Sequence, residues 1–445
     1  MATPEITRRG FVGSIAAAGV AASTATAQAR PSANDKVRCL LIGAGSRGNQ
    51  LLQAFQPRPD VQFVAVADVD DRHAAETAAK LGKDVRTGRD YRKMLDAKDV
   101  DAVVIATPDH WHALPTIHAC MAGKDVYCEK PVAHNVAEGR AMIAAARKYD
   151  KIVAVGTQQR SSENFRRAVE TVKSGALGKV FWIQTWNYEN ISPVGMGKPS
   201  DCDAPAGLDY DLWLGPAPLR PYNPNRSHLL FRWFFDYAGG MMSDWGVHLN
   251  DIALWATGQD APKSVSSTGG IFTTDDNRDT PDTLQVVYEF QGLTLNYSMR
   301  KGNGLKFHNR EYGILFCGTD GSLLLDRQGH EIVPDKVVLP YGIKLAQGDR
   351  PLRPIGLKPS TFKAKDDGLP DHVENFMQCL KSRQRPTCDI AVSHLSTNTC
   401  HLGNIAYKLG RKLNWDAATE TFVGDAEANA MLGREARKGF ELPRI

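Results

Sequence analysis

Short apolar runs alternate with helical patterns between residues 36 and 158. Each run ends at a glycine or at a polar residue, and the runs are Val37–Ile42, Val61–Ala67, 101–106, Asp125–Cys128 and 152–155. Strands that are apolar throughout and alternate with helices are typical of a parallel sheet with both faces covered. The pattern therefore predicts a doubly wound α/β domain over residues 36–158.

The pattern changes after Gly175, where apolar and polar residues begin to alternate as in half-buried strands. Gln291-Gly292 and residues 319–321 each separate two such runs, which predicts hairpins. We therefore predict a second α/β domain over 159–415 with a large, mainly antiparallel sheet, and a tail over 416–445. Segment 188–238 is rich in Pro, Gly, Asn and aromatic residues, and its length favours a lid or binding loop.

The N-terminus has the features of an export signal. Arg8-Arg9 precedes a mild apolar run over 12–22, and small residues such as Ala25-x-Ala27 follow. A charged start, a short apolar region and an A-x-A site describe a signal peptide, and the paired arginines indicate the twin-arginine class. We therefore expect residues 1–29 to direct a folded protein to the periplasm or the medium, with no membrane insertion after signal removal.

Composition excludes several other classes. Of 445 residues, 42% are hydrophobic and 23% charged, which is ordinary for a globular protein. The net charge of +4 gives no support to nucleic-acid binding. The eight cysteines form no C-x-x-C motif, so we predict no metal site. Free buried thiols are favoured, and Cys379 with Cys388 is the least implausible disulfide pair.

A glycine motif follows the first predicted strand. Gly43-x-Gly45-x-x-Gly48 lies between that strand and a predicted helix, and Asp68 ends the next strand. In this context the glycines permit a tight turn, close approach of a pyrophosphate, and helix–strand packing. Asp68 would accept hydrogen bonds from the adenosine ribose and repel a 2′-phosphate. The motif thus predicts a Rossmann dinucleotide-binding domain that prefers NAD to NADP.

A carboxylate and an imidazole stand four residues apart in the second domain. Asp244 and His248 are predicted to share one face of a helix that runs to Thr257 and stops at Gly258. Such a pair suits proton transfer to or from a hydroxyl group. A helix-capping aspartate and a buried core histidine explain the same residues equally well.

Four motifs occur in one order and together resemble the Gfo/Idh/MocA oxidoreductase family over residues 36–415. They are Gly43-x-Gly45-x-x-Gly48, Asp109-His110-Trp111-His112, Glu129-Lys130-Pro131 and Asp244-x-x-x-His248. The resemblance implies an NAD-dependent oxidoreductase that takes hydride from a secondary hydroxyl of a sugar, glycoside or cyclitol. It also implies a homodimer or homotetramer formed through the C-terminal sheet. Combined with the export signal, it leads us to expect tightly bound NAD.

The resemblance also assigns roles to individual residues. The implied catalytic residues are Lys130, Asp244 and His248, and the implied substrate contacts add Arg160 and Tyr188 to these three. The implied cofactor-binding residues are Gly43, Gly45, Ser46, Arg47, Gly48, Asp68, Thr107, Pro108, His110, Trp111, His112, Glu129, Lys130 and Gln158. Asp251 is an alternative orienting partner for His248, although a structural role is favoured.

Two other functions remain as alternatives. One branch of the superfamily hydrolyses glycosides by NAD-dependent oxidation, elimination and reduction, but it has a Tyr–His pair where this sequence has Asp244 and His248. A sugar-binding protein without catalytic activity is the second alternative. The presence of Lys130, Asp244 and His248 together counts against it.

Overall fold

The computed structural model describes residues 36–336 and 356–445. The predicted signal peptide over 1–29 lies outside these ranges. Within the described ranges, no helix combines the length and the apolar character that crossing a membrane requires.

The N-terminal sheet is parallel, with strand order β3-β2-β1-β4-β5-β6. Its strands are β1 (Val37–Ile42), β2 (Val61–Ala67), β3 (Arg86–Gly88), β4 (Ala102–Ile105), β5 (Asp125–Cys128) and β6 (Val153–Val155). The helices of this part are α1 (Ser46–Phe55), α2 (Asp71–Leu81), α3 (Arg92–Leu95), α4 (Ala113–Met121) and α5 (Val136–Lys148). The strand order reverses between β1 and β4, and ligands bind at such a switch point.

The C-terminal sheet has ten strands, in the order β14-β13-β12-β11-β7-β10-β9-β8-β15-β16. They are β7 (Val180–Tyr188), β8 (Ser264–Gly270), β9 (Thr283–Phe290), β10 (Leu293–Arg300), β11 (Tyr312–Gly318), β12 (Gly321–Asp326), β13 (Gly329–Pro334), β14 (Ser360–Lys363), β15 (Leu413–Asp416) and β16 (Thr421–Phe422). The β7–β10 pair is parallel, whereas the other described pairs are antiparallel. The predicted fold class and both predicted hairpins are therefore confirmed.

The helices of the second part cover one face of this sheet and also reach the first domain. They are α6 (Glu163–Lys173), α7 (Tyr210–Leu214), α8 (Gly240–Asp244), α9 (Gly246–Thr257), α10 (Leu369–Ser382), α11 (Ile390–Leu409) and α12 (Ala426–Ala430). Short 3₁₀ helices span Asp109–Trp111, Gln158–Ser161 and Leu230–Trp233. Phe376 of α10 packs edge-on against Phe55 of α1, so a late helix completes one face of the N-terminal sheet.

Two local predictions need correction or extension. The single helix predicted to run through Asp244 and His248 is divided at Trp245, because the His248 N–H bonds to the Trp245 carbonyl, three residues back. Gly258 ends α9, as predicted, and its backbone is in the left-handed conformation. The predicted tail over 416–445 packs against the rest of the protein, since Phe440 and Leu442 contact the N-terminal core.

Candidate active site

A cavity of about 670 Å³ opens at the carboxyl ends of β1 and β4 and extends toward α8 and α9. Residues from both domains line it. The predicted site residues in its wall are Gly43, Gly45, Ser46, Arg47, Asp68, Thr107, Pro108, Trp111, Glu129, Lys130, Gln158, Asp244 and His248. The structure thus brings most of the residues selected from sequence to one place.

The glycine loop has the shape that a pyrophosphate needs. Gly43 has φ +88°, and a Cβ there would lie 2.7 Å from the Ala106 carbonyl carbon. A Cβ on Gly48 would lie 2.0 Å from the Gly43 carbonyl oxygen, so only glycine fits beneath the turn. No described side chain caps the N-terminus of α1, whose N–H groups are available to an anion. These residues fit NAD.

Asp68 marks the adenosine-ribose end of the cavity. Its carboxylate accepts hydrogen bonds from the N–H groups of Ala44 (2.6 Å) and Asp70 (2.9 Å). Burial raises the pKa of Asp68, and the two N–H donors oppose that shift. The carboxylate is held at the end of β2, where the ribose hydroxyls of a dinucleotide are expected.

Segment 188–238 lies across this end of the cavity. The Asp71 N–H donates to Gly207 O (3.0 Å), and the Asp209 N–H donates to Val69 O (2.9 Å). His228 bonds through Nε2 to Asp70 at 3.0 Å. His228 and Asp70 lie with His73 in a group whose ligand atoms are within 4.8 Å of one another. The hydrogen bond accounts for the approach of His228 to Asp70, and the His73 and His228 rings lie 4.6 Å apart. The segment therefore joins the C-terminal domain to the dinucleotide edge, as a lid would.

Lys130 and Asp244 form the centre of the opposite end. Lys130 Nζ lies 2.5 Å from Asp244 Oδ1 and 3.0 Å from the Asp244 carbonyl oxygen. Arg232, from segment 188–238, donates to Asp244 Oδ2 at 2.8 Å. Burial alone would raise the pKa of Asp244, but the two cations hold that pKa well below its usual range. Asp244 is therefore an ionised carboxylate that fixes two cations at the cavity wall.

His248 lies beside this group as a neutral imidazole. Its residue is 6% exposed, and burial together with the Arg327 and Lys130 cations lowers its pKa well below the ordinary value. Its Nδ1 has no hydrogen-bond partner within the described ranges. A neutral imidazole in a cavity wall can accept a proton from a bound hydroxyl group.

The backbone around Lys130 is fixed from both sides. The Lys130–Pro131 peptide is cis. Glu129 accepts from Arg47 Nε at 2.8 Å, and His112 bonds to the Pro131 carbonyl oxygen at 2.6 Å. Burial lowers the pKa of His112, and the hydrogen bonds to the Pro131 and Thr107 carbonyl oxygens oppose that shift. His112 therefore holds the turn and does not itself line the cavity.

Four more predicted contacts lie outside the cavity wall: Gly48, His110, Arg160 and Tyr188. Arg160 makes two hydrogen bonds, of 2.7 and 2.8 Å, to the carboxylate of Asp251. Arg160 and Asp251 thus form a buried ion pair with a structural role, and Asp251 does not orient His248. The Tyr188 hydroxyl donates to Ser298 Oγ (2.9 Å), and Arg300 stacks on its ring at 3.8 Å.

Sequence reasoning did not select several other residues of the cavity wall, among them Asp109, His228, Arg232 and Arg327. Asp109 stands within the Asp109-His110-Trp111-His112 motif, which was the available signal. Burial raises its pKa to about 7, with Lys130 opposing the shift and Asp244 adding to it. Arg232 lies in the 3₁₀ helix Leu230–Trp233, and His228 and Arg327 lie in irregular segments. The local sequence pattern gives no indication of the positions of these three residues.

Comparison with known proteins agrees with this architecture. Residues 37–157 match the profile described as "Oxidoreductase family, NAD-binding Rossmann fold". Residues 166–290 and 360–442 match that of the "Oxidoreductase family, C-terminal alpha/beta domain". Myo-inositol 2-dehydrogenase of Thermotoga maritima is 23% identical over 79% of this chain and 90% of its own length. Inositol 2-dehydrogenase of Rhizobium meliloti is 24% identical, with coverages of 72% and 81%.

Solved structures show the same fold. Levoglucosan dehydrogenase in complex with NADH and levoglucosan has a TM-score of 0.63 at 18% identity, over 85% of this chain and 99% of its own. Aldose-aldose oxidoreductase of Caulobacter crescentus has a TM-score of 0.63 at 19% identity, with the same coverages. The two profile matches together cover most of the chain, and the glycine loop has the form that a dinucleotide requires. This chain therefore belongs to the NAD-binding Gfo/Idh/MocA family of oxidoreductases.

Proposed function

We propose that this protein oxidises a secondary hydroxyl group of a sugar, a glycoside or a cyclitol. The observation that carries the proposal is the neutral His248 beside the Lys130–Asp244 pair, in one cavity with the glycine loop. Bound NAD supplies the hydride acceptor for this chemistry. The similarity to myo-inositol and levoglucosan dehydrogenases supports a polyhydroxylated substrate.

Different residues of the chain accept the proton and stabilise the developing charge. His248 accepts the hydroxyl proton, because its imidazole is neutral. The Lys130 ammonium, held by Asp244, stabilises the alkoxide that develops as the proton leaves. Asp244 has both oxygens occupied by cations, so it positions Lys130 and is not the proton acceptor.

The cofactor is proposed to remain bound between turnovers. Segment 188–238 crosses the adenosine-ribose end and bonds to the backbone on both sides of Asp70. Release of a dinucleotide in that position requires these bonds to break. Retention also agrees with export, because the twin-arginine route carries proteins that have already folded around their cofactors.

Export by the twin-arginine route is supported by the sequence around Arg8-Arg9. Changing both arginines to lysine should leave the protein in the cytoplasm of the producing cell, while a matched pair of lysine changes at Arg72 and Arg86 should not alter export. We also propose association of two or four copies through the C-terminal sheet, which the mass of the purified protein in solution tests.

The experiment that tests the oxidoreductase proposal uses the purified, cofactor-loaded protein. Aldoses, methyl glycosides and inositols are added singly, and the absorbance of bound reduced nicotinamide is followed. We expect at least one compound to reduce the cofactor, and the His248→Asn variant to abolish that signal without loss of bound NAD. If no compound in the panel reduces the cofactor, the proposal is wrong.

A redox-assisted hydrolase is the second candidate, and the enclosed cofactor edge favours it. A cycle of oxidation, elimination and reduction returns the cofactor to its starting state, so no exchange is needed. The two functions separate in an incubation with aryl glycosides and no added cofactor. Release of the aryl group with recovery of unoxidised sugar supports the hydrolase, whereas a keto-sugar matched by a reduced acceptor supports the oxidoreductase.

A further inference from the structure

Four cationic side chains meet at the catalytic end of the cavity, and three of them have carboxylate partners. The partnered cations are Arg47 with Glu129 at 2.8 Å, and Lys130 and Arg232, both with Asp244. The fourth cation is Arg327. Within residues 36–336 and 356–445 it makes no ion pair, and its buried Nε has no hydrogen-bond partner.

The backbone that carries Arg327 is well fixed. Arg327 lies in the turn between β12 and β13. Asp326 Oδ1 accepts from the Gln328 N–H (2.7 Å) and the Gly329 N–H (3.1 Å), and Asp326 also pairs with Arg310 at 2.6 Å. The turn therefore presents the guanidinium from a set position and not from a loose loop.

The side chain of Arg327 lies against the catalytic residues. Its guanidinium carbon is 5.0 Å from the centre of the Trp245 ring, and that ring is 6.5 Å from the His248 ring. Arg327 is also the charge that most lowers the pKa of His248. The guanidinium thus lines the same cavity as His248, with the Trp245 ring close to both side chains.

The nearby acid does not neutralise this cation. Asp367 is the carboxylate with the largest influence on Arg327, but it lies beyond ion-pair distance, and its Oδ2 accepts from Gln158 Nε2 at 3.1 Å. Burial lowers the pKa of Arg327, yet a guanidinium stays protonated in proteins. Arg327 is half-buried and contacts the Trp245 ring, but no described carboxylate lies within ion-pair distance of it. A carboxylate is the anion that matches a guanidinium in two parallel hydrogen bonds.

We propose that Arg327 binds a carboxylate group of the substrate, so that the substrate is an acidic sugar of the uronic acid class. The proposal rests on the oxidoreductase function above and narrows its substrate. The phosphates of a dinucleotide are expected at the N-terminus of α1, so an anion bound by Arg327 would come from the substrate and not from the cofactor phosphates.

The test compares acid and neutral members of one sugar pair on the cofactor-loaded enzyme. The pairs are D-glucuronate with D-glucose, and D-galacturonate with D-galactose. We expect kcat/KM to favour the acid by about 10- to 100-fold in the unaltered protein, which is the range of a charged hydrogen-bonded contact. The Arg327→Met variant should lose that ratio, and the Arg327→Lys variant should keep part of it.

The ratio of kcat/KM for the acid to that for the neutral sugar separates recognition of the carboxylate from other effects of the substitution. Loss of the Arg327 charge will raise the pKa of His248, but this change acts on both members of a pair and cancels. If the Arg327→Met variant does not fold, the acid-to-neutral ratio of kcat/KM in the unaltered protein and in the Arg327→Lys variant still tests the proposal. Calorimetric titration of each acid into cofactor-loaded protein adds a measurement that does not require turnover.

Each outcome has a distinct meaning. A preference for neutral sugars, or a ratio that Arg327→Met leaves unchanged, overturns the proposal while leaving the oxidoreductase function intact. Loss of bound NAD from Arg327→Met, measured after acid release, also overturns it, because Arg327 would then contact the cofactor. Binding of an acid that depends on Arg327, without reduction of the cofactor by any sugar, supports the carboxylate site and refutes the oxidoreductase.

Discussion

We expect Asp109→Asn to change the stability of the protein in a pH-dependent way. Compared with the unaltered protein, the variant should be more favoured at alkaline pH than at acidic pH. Burial raises the pKa of Asp109 from 3.8 to about 7. Between these values the folded protein holds a proton that the unfolded chain releases, so stability falls as the pH rises. One pKa unit corresponds to 1.36 kcal/mol, so raising the pH from 5 to 8 should lower the free energy of unfolding of the unaltered protein by about 2.5 kcal/mol. Asparagine has no such titration and keeps the shape of the protonated acid.

Urea unfolding at pH 5 and pH 8 measures this effect. The free energy of unfolding of Asp109→Asn, minus that of the unaltered protein, should rise by about 2.5 kcal/mol between the two pH values. Asp203→Asn is a matched control, because Asp203 is exposed in segment 188–238. A difference that is the same at both pH values would show that Asp109 titrates as an ordinary aspartate and refute the reasoning.

Three further predictions concern the two ends of the cavity. Lys130→Met should lower kcat by about 100- to 1,000-fold, since it removes the charge that stabilises the alkoxide; a smaller loss with an unchanged KM would contradict this role. Asp68→Ala should narrow the preference for NAD over NADP, measured by titration of both cofactors, and an unchanged ratio would place the discrimination elsewhere. His228→Leu should speed the loss of bound NAD on dialysis, because the hydrogen bond to Asp70 disappears; equal retention would show that segment 188–238 does not hold the cofactor.

The N-terminal sheet was predictable because its signals are local. Five of its strands are apolar runs that end at turn residues, and the glycine motif follows the first of them. β3 (Arg86–Gly88) is the exception, since its residues are polar and largely exposed and resemble a loop. The hairpin β9–β10 was also predictable, because two turn residues separate two alternating runs.

Long-range pairing was not predictable from the pattern. β7 pairs in parallel with β10, and more than a hundred residues lie between their paired positions. The position of Arg160 was unpredictable for the same reason. A cation that follows a strand resembles a substrate contact, but here Asp251, from a different element, pairs with it. Whether a charged residue faces a cavity or a partner depends on such distant contacts, which a sequence pattern does not contain.

Segment 188–238 connects the proposed retention of the cofactor with the catalytic end of the cavity through two residues of one short stretch. His228 bonds to Asp70 at the adenosine-ribose end, and Arg232 bonds to Asp244 at the catalytic end. A movement that frees the dinucleotide edge therefore also withdraws one of the two cations from Asp244. We expect the open protein to be inactive, so the cofactor cannot exchange during turnover. For the proposed oxidoreductase we therefore expect reoxidation by a second substrate that enters the same cavity after the first product leaves, whereas the hydrolase cycle regenerates the cofactor without one.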